Sequence, residues 1–244
     1  MFTYENLLKD MPKNVTVGIG RGSDKGNVEM SASAFDNVII YDDPDALLND
    51  LRNGKIDAAV RGDMSSSKLM PLIRDIFRID EIERSVIVEP VGKRMIFVAP
   101  VGIDEGSTVQ QKYDIAVKNV NLMRRIGMGE RIAVMSGGRA DDKGRSAAVD
   151  RTIDEALELV DMLSSDGYDA YHAEILIESA ADEADLLIAP DGITGNIIFR
   201  TLHFLGNAKA LGAPVLNINK VFVDTSRVKT DYRDSIALAM RLTR

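Results

Sequence analysis

Residues 189–227 read APDGITGNIIFRTLHFLGNAKALGAPVLNINKVFVDTSR and hold two strand-to-loop transitions. The apolar run DLLIAP (185–190) breaks into DGITGN, and PVLNINKVFV (214–223) breaks into DTSR ahead of a final helix-patterned segment. Each break sets small and polar residues at the carboxyl end of a β-rich run. Open parallel sheets bind ligands there, because strand ends and helix starts expose unpaired backbone groups.

Outward from this stretch, strand and helix patterns alternate. VTVGIG, NVIIYD and DAAVRG are short apolar runs, with helical spacing at 28–35, 46–53 and 67–77. Such alternation favours a parallel sheet with helices on both faces. After Arg84 the rhythm changes: SVIVEPVG and KRMIFVAP leave no room for a helix between them and form a hairpin turning near 91–93. Ser107 is placed to cap a long helix through Ile126, in which Tyr113, Val117, Val120 and Met123 share one face. A second alternating unit follows, with RIAVMSGG, YDAYHAEI and DLLIAP as strands and 147–163, 196–205 and 232–242 as helices. The helix from Ser107 reads as a connector between two lobes.

Composition bounds the function. The chain has 244 residues, 45% hydrophobic and 28% charged, enough for a real core under an ordinary surface. A formal charge of −8 argues against general affinity for nucleic acid or anionic membrane. With no cysteine there is no disulfide, thiol nucleophile or thiolate metal site. His172 and His203 lack metal-ligand spacing and read as structural, so no metal site is expected. No signal peptide and no apolar run near the ~20 residues of a membrane span is present, so the expected location is cytoplasmic.

Five loops fall at strand carboxyl ends. GIGRGSDKGN (18–27) brings glycines, Arg21 and Lys25 before a helix start; it misses the GxGxxG spacing, so a nicotinamide site is rejected. VRGDMSSSK (60–68) follows Arg61 with serines that either clamp a phosphate or cap the next helix. SGGRADDKGR (136–145) offers Ser136 to a ligand, whereas Asp141, Asp142 and Lys143 read as an exposed lobe edge. PDGITGN (190–196) sets Asp191 and Asn196 about two glycines, with Asn196 positioning a substrate or tying down the turn. VDTSRVKTD (223–231) places Ser226 and Arg227 beside a strand end, with Thr230 or Asp231 as helix cap.

From about Arg131 to Ile236 the order of motifs resembles the phosphotransacylases. RIAVMSGGRADDKGRS is similar to that family's RVALLSFSTKGS segment, and the 189–216 stretch to its PDLNAGNIAYKLVQRLGGAEAIGPIL segment. VFVDTSR resembles its VNDLSRG, DAAVRGDM its DG-hydrophobic-VSG turn, and DGITGN the DGFTGN loop of acyl-phosphate synthases. GIGRGSDKGN and DTSRVKTDY together with the short length resemble the methanogenesis marker protein four family, whose members carry the label of methyltransferase subunits.

The resemblance implies an α/β, two-lobe phosphotransacylase-like fold, akin to the isocitrate and isopropylmalate dehydrogenases, with mostly parallel sheets flanked by helices. It implies a discontinuous first lobe, 1–106 plus 220–244, a second lobe at 107–219, and a ligand cleft between them. Ser226 and Arg227 match the family's catalytic pair. Asp234, with Asp231 as the other candidate, matches its base, and Asn196 matches its GN-turn asparagine. Arg21, Arg61 and Arg94 stand in for its substrate-binding arginines, joined by Asp191 and Ser136. Val228 replaces the glycine after the Ser-Arg pair.

The function implied is binding of an acyl phosphate, phosphate or acyl thioester, with acyl transfer, in a methanogenic archaeon. Coenzyme A would be a co-substrate, with no firmly bound cofactor. A homodimer is implied by analogy, and a methyltransferase complex by the narrower resemblance. The alternative is a non-catalytic metabolite-binding or methyltransferase-associated subunit.

Overall fold

The computed structural model describes residues 2–9, 11–12, 14–23, 25–226 and 229–243, with only the backbone of Lys25. The first elements are α1 (Tyr4–Leu8), β1 (Val17–Gly20), α2 (Lys25–Ala32), β2 (Val38–Tyr41), α3 (Pro44–Arg52), β3 (Ala58–Val60) and α4 (Ser66–Phe77). Next come β4 (Val86–Glu89), β5 (Ile96–Ala99), α5 (Val109–Ile126), β6 (Ile132–Met135) and α6 (Ala147–Ser165). They are followed by β7 (Ala170–Glu174), α7 (Ile177–Glu183), β8 (Leu186–Ile188) and α8 (Gly192–Arg200), which runs on as a π-turn, Thr201–Leu205. The chain ends with β9 (Lys209–Pro214), β10 (Val221–Asp224) and α9 (Arg233–Leu242). Of these, α7 has no counterpart in the sequence reading; its seven residues are too few to show a helical period.

Contacts divide the chain into two compact units. Residues 5–82 and 211–244 form an N-terminal unit, and 1–4 with 83–210 a central unit. The boundaries fall at 82/83 and 210/211, where the sequence reading has 106/107 and 219/220. The difference comes from β4 and β5: they form the expected antiparallel hairpin, Ile87 opposite Phe97, and β5 then pairs in parallel with β8, Val98 opposite Leu187. That ladder ties the hairpin to the central unit, and α5 lies wholly inside the same unit rather than connecting two lobes.

In the N-terminal unit β2, β1, β3 and β10 form a parallel ladder, with Val17 between Val38 and Ala58 and Val221 opposite Ala58. Strand β9 joins β10 antiparallel, Pro214 opposite Val223. Asp43 caps α3 by accepting from Asp45 N–H, with Pro44 pre-set in its first turn. The helix then buries Leu47, Leu48 and Leu51 against Ile56, Leu69, Ile73 and Phe222. Each such side chain contributes about 1.5–3 kcal/mol by leaving water.

In the central unit β5, β8, β6 and β7 are parallel, Ala133 lying opposite both Leu187 and Tyr171. Helix α5 is capped by Thr108, not Ser107: the Thr108 hydroxyl accepts from Gln111 N–H at 3.1 Å, and Gln111 returns a bond to Thr108 N–H. Ser107 also donates to the Gln111 side chain, one residue outside the helix.

Candidate functional site

The parallel strands of the N-terminal unit end together, so the loops after β1, β2, β3 and β10 share one edge. They pack closely on one another. A Cβ on Gly62, which sits at φ 61°, would lie 1.9 Å from the Gly20 carbonyl oxygen. Only glycine fits this left-handed, backbone-to-backbone contact. Thr225 locks the same loop by donating from its hydroxyl to the Gly62 carbonyl at 2.7 Å.

Two arginines read as anion-binding groups are held by carboxylates of the chain itself. Arg61 is buried, donating from Nε to Asp224 and from Nη1 to the Met64 carbonyl at 2.7 Å. Arg21 donates from Nε and Nη2 to Asp42 at 2.6 and 2.7 Å, and from Nη1 to Glu29 at 2.5 Å. Those two carboxylates hold its guanidinium charged well above the usual range. Both arginines shape the edge as ion pairs.

Beside Arg21 lies a pocket of about 310 Å³, lined by Arg21, Gly22, Asp42, Asp63, Ser65 and Lys68 among others. Its formal charges balance, two cations against two carboxylates. Asp63 is already engaged, accepting from Gly22 N–H at 2.6 Å. The remaining polar groups are Ser23, in the loop after β1, and those at the start of α4. Ser65, the cap residue, makes no side-chain bond to the helix backbone. Its hydroxyl lies 2.8 Å from that of Ser67. Lys68 is exposed and carries no ion pair with a described residue. A helix start that carries a hydroxyl and an ammonium can take an anion.

After β10, Ser226 is half-buried, and its carbonyl accepts from Lys229 N–H at 3.2 Å. Arg227 and Val228 lie outside the described residues. Asp231 accepts from Arg233 at both its N–H (3.0 Å) and its guanidinium. Those bonds hold its carboxyl below the ordinary range. The residue capping α9 is Tyr232, buried, with its N–H donating to Ser31 at 2.9 Å. Asp234 sits half-buried in the first turn of α9.

In the central unit the DGITGN segment is built for packing. Asp191 caps α8 by accepting from Thr194 N–H at 2.7 Å. A Cβ on Gly192 would lie 1.6 Å from the Gly102 carbonyl oxygen, and one on Gly195 1.9 Å from that of Pro100. Asn196 completes the clamp, donating from Nδ2 to the Val101 carbonyl at 2.9 Å. Glu105 braces the clamped loop through Gly102 N–H at 3.0 Å and Arg84 Nε at 2.7 Å, and burial pushes its carboxyl up despite that arginine. Arg94 precedes β5, at the amino end of the ladder, 3.5 Å from Asp185.

Ser136, at the end of β6, is 2% exposed and meets a residue the sequence reading set aside as structural. Its Oγ lies 2.8 Å from His172 Nε2 and donates to the Gly138 carbonyl at 2.8 Å. No sequence signal links the two, which are 36 residues apart and meet because β6 pairs with β7.

Two α/β units built on parallel strands, with polar loops at the strand ends, have the architecture of the phosphotransacylase fold. Solved structures agree: a phosphotransacetylase from Staphylococcus aureus superposes with TM-score 0.73 at 15% identity, covering 99% of this chain and 98% of that one. A branched-chain phosphotransacylase from Enterococcus faecalis gives 0.72 at 16% identity, covering 94% and 100%.

Residues 46–240 match the family model described as Phosphate acetyl/butaryl transferase, and the chain belongs to that family. Among named relatives, a protein provisionally called methyltransferase mtx subunit X in Methanosarcina barkeri is 39% identical over 230 residues, 94% of this chain and 83% of that protein. An uncharacterized methyltransferase of Methanocaldococcus jannaschii is 38% identical over 78% of this chain and 80% of its own. A phosphate acetyltransferase of Corynebacterium glutamicum is 27% identical over 77% and 62%.

Proposed function

We propose that the N-terminal unit binds the phosphoryl end of an acyl phosphate, or free phosphate, and that the protein transfers the acyl group to the thiol of coenzyme A. The observation that carries this reading is the pocket at the carboxyl edge, where the start of α4 brings the Ser65 hydroxyl and the Lys68 ammonium to its lining beside Arg21. Its volume of about 310 Å³ suits a small ligand. In the transfer, thiol sulfur forms a bond to the acyl carbon, the carbon–oxygen bond to phosphate breaks with its electron pair, and the thiol proton passes to a base. In this reading Ser226 and Arg227, by resemblance to the family's Ser-Arg pair, stabilise the charge that develops on the carbonyl oxygen, and Asp234 is the base.

Arg61, Arg21, Asn196 and Asp191 enter this reading as residues that hold the site's framework rather than the ligand. The test is thioester formation from coenzyme A and a panel of acyl phosphates. Native protein should turn over at least one member, and Arg227→Ala should lose 100-fold or more, as removal of one transition-state donor does. Folded native protein that turns over none of the panel sinks the reading.

A second reading rests on the relatives named as methyltransferase subunits, at 39% identity across nearly the whole chain. Here the chain is a non-catalytic subunit that keeps the fold for protein contact. Recovery of a stoichiometric methyltransferase partner from the native source, with no thioester activity, would favour it. Under either reading the exposed face of α8 is assigned to a second copy of the chain. No helix among the described residues is long and apolar enough to cross a membrane.

A further inference from the structure

The contact between Ser136 and His172 fixes more than a side-chain position. A serine hydroxyl has one proton. Ser136 Oγ donates it to the Gly138 carbonyl at 2.8 Å, so its 2.8 Å contact with His172 Nε2 is a hydrogen bond only if the ring nitrogen donates. Both bonds form together in one tautomer, with the proton on Nε2 and the lone pair on Nδ1. Nδ1 has no hydrogen-bond partner among the described residues.

We propose that His172 is a proton-accepting ligand residue, whose Nδ1 takes the proton of a thiol or an acid phosphate bound at the carboxyl edge of β6 and β7. Four observations support it. The residue lies on β7 opposite Val134, two positions before the carboxyl end of the strand and close to the edge at which parallel sheets take ligands. The ring is half-buried, and burial holds it below the ordinary imidazole range, neutral and ready to accept at pH 7. Proton uptake on Nδ1 leaves the Nε2–H bond to Ser136 intact, so the network needs no rearrangement to change charge. Glu174 supplies the nearby negative charge that favours the imidazolium, and its own carboxylate is anchored by Ala140 N–H at 2.9 Å.

The step balances: the donor X–H loses its proton, Nδ1 gains it, X⁻ keeps the electron pair, and the imidazolium is neutralised when the proton returns. Asp231 is a weaker candidate for the same task, because its arginine pair makes it a stronger acid. The inference rests on the acyl-transfer reading only for the choice of probes.

The experiment is long-range proton–nitrogen NMR on the full chain with labelled histidine, His172 being assigned from its absence in His172→Gln. Coenzyme A, inorganic phosphate and acetyl phosphate are added separately. In the free protein at pH 7.5, His172 should show the Nε2–H tautomer with an Nδ1 lone-pair signal. At least one probe should move that Nδ1 signal toward the protonated position, and its affinity should fall roughly 10-fold in His172→Gln. Ser136→Ala should mix the tautomers, and Ser136→Thr, which keeps the hydroxyl, should restore one. An Nδ1–H tautomer in the free protein, or an Nδ1 signal that no saturating probe moves, overturns the proposal. A responsive Nδ1 without any thioester formation upholds it and counts against acyl transfer instead.

Discussion

Arg61 and Asp224 form a pair buried among the loops after β3 and β10. Removing one partner strands a charge, so Asp224→Asn should lower unfolding free energy by about 3–5 kcal/mol. A joint Arg61→Met, Asp224→Leu change should cost less than the sum of the single changes, because neither charge is then left alone. Urea titration of the three variants measures both. Tyr41 gives a pH test. Burial and a 3.0 Å bond to Asp50 push its phenol up to about 12 from an ordinary 10. Its folded value lies above its unfolded value, so the stabilisation is complete below pH 10 and fades as pH rises toward about 12. Tyr41→Phe should flatten that part of the alkaline stability curve; an unchanged slope would remove Tyr41 from the account.

Helix α8 is inverted with respect to an ordinary amphipathic helix. Its glycines face inward onto carbonyl oxygens of the 100–102 segment, and its large apolar residues face out. Ile193 (56% exposed), Ile197 (59%) and Phe204 (39%) follow a 4-3-4 spacing with Arg200, whose guanidinium lies over the Phe204 ring, and Leu205 (81%) flanks them. This spacing leaves one apolar stripe uncovered along the helix. If a second copy covers it, native protein should sediment as a dimer and Ile197→Glu as a monomer with unchanged circular dichroism. Gly195→Ala tests the other face: its Cβ has no room, so stability should fall by about 1–3 kcal/mol or more in the same titration. The helix itself was legible from DGITGN and the apolar run behind it. That its glycines serve backbone contact, and that Asn196 holds Val101 rather than a ligand, depends on a loop 95 residues away.

Across the whole molecule, the prediction that decides the function is the acyl phosphate panel: turnover lost in Arg227→Ala supports the enzyme, and none in folded native protein supports a binding or assembly role. Alternating strand and helix patterns, the β4–β5 hairpin and the polar loops after the strands could all be read along the chain. Periodicity, turn residues and caps act within a few residues, and the motifs of residues 189–227 carried the family. The tertiary structure alone decided which charges are available. Arg21 meets Asp42 across 21 residues and Arg61 meets Asp224 across 163, so two candidate ligand arginines became framework ion pairs. It also brought His172 against Ser136, 2.8 Å from its hydroxyl, although no sequence motif links the two. Burial and ion pairing are set by strand order and register, and strand order is a property of the folded chain rather than of any local stretch.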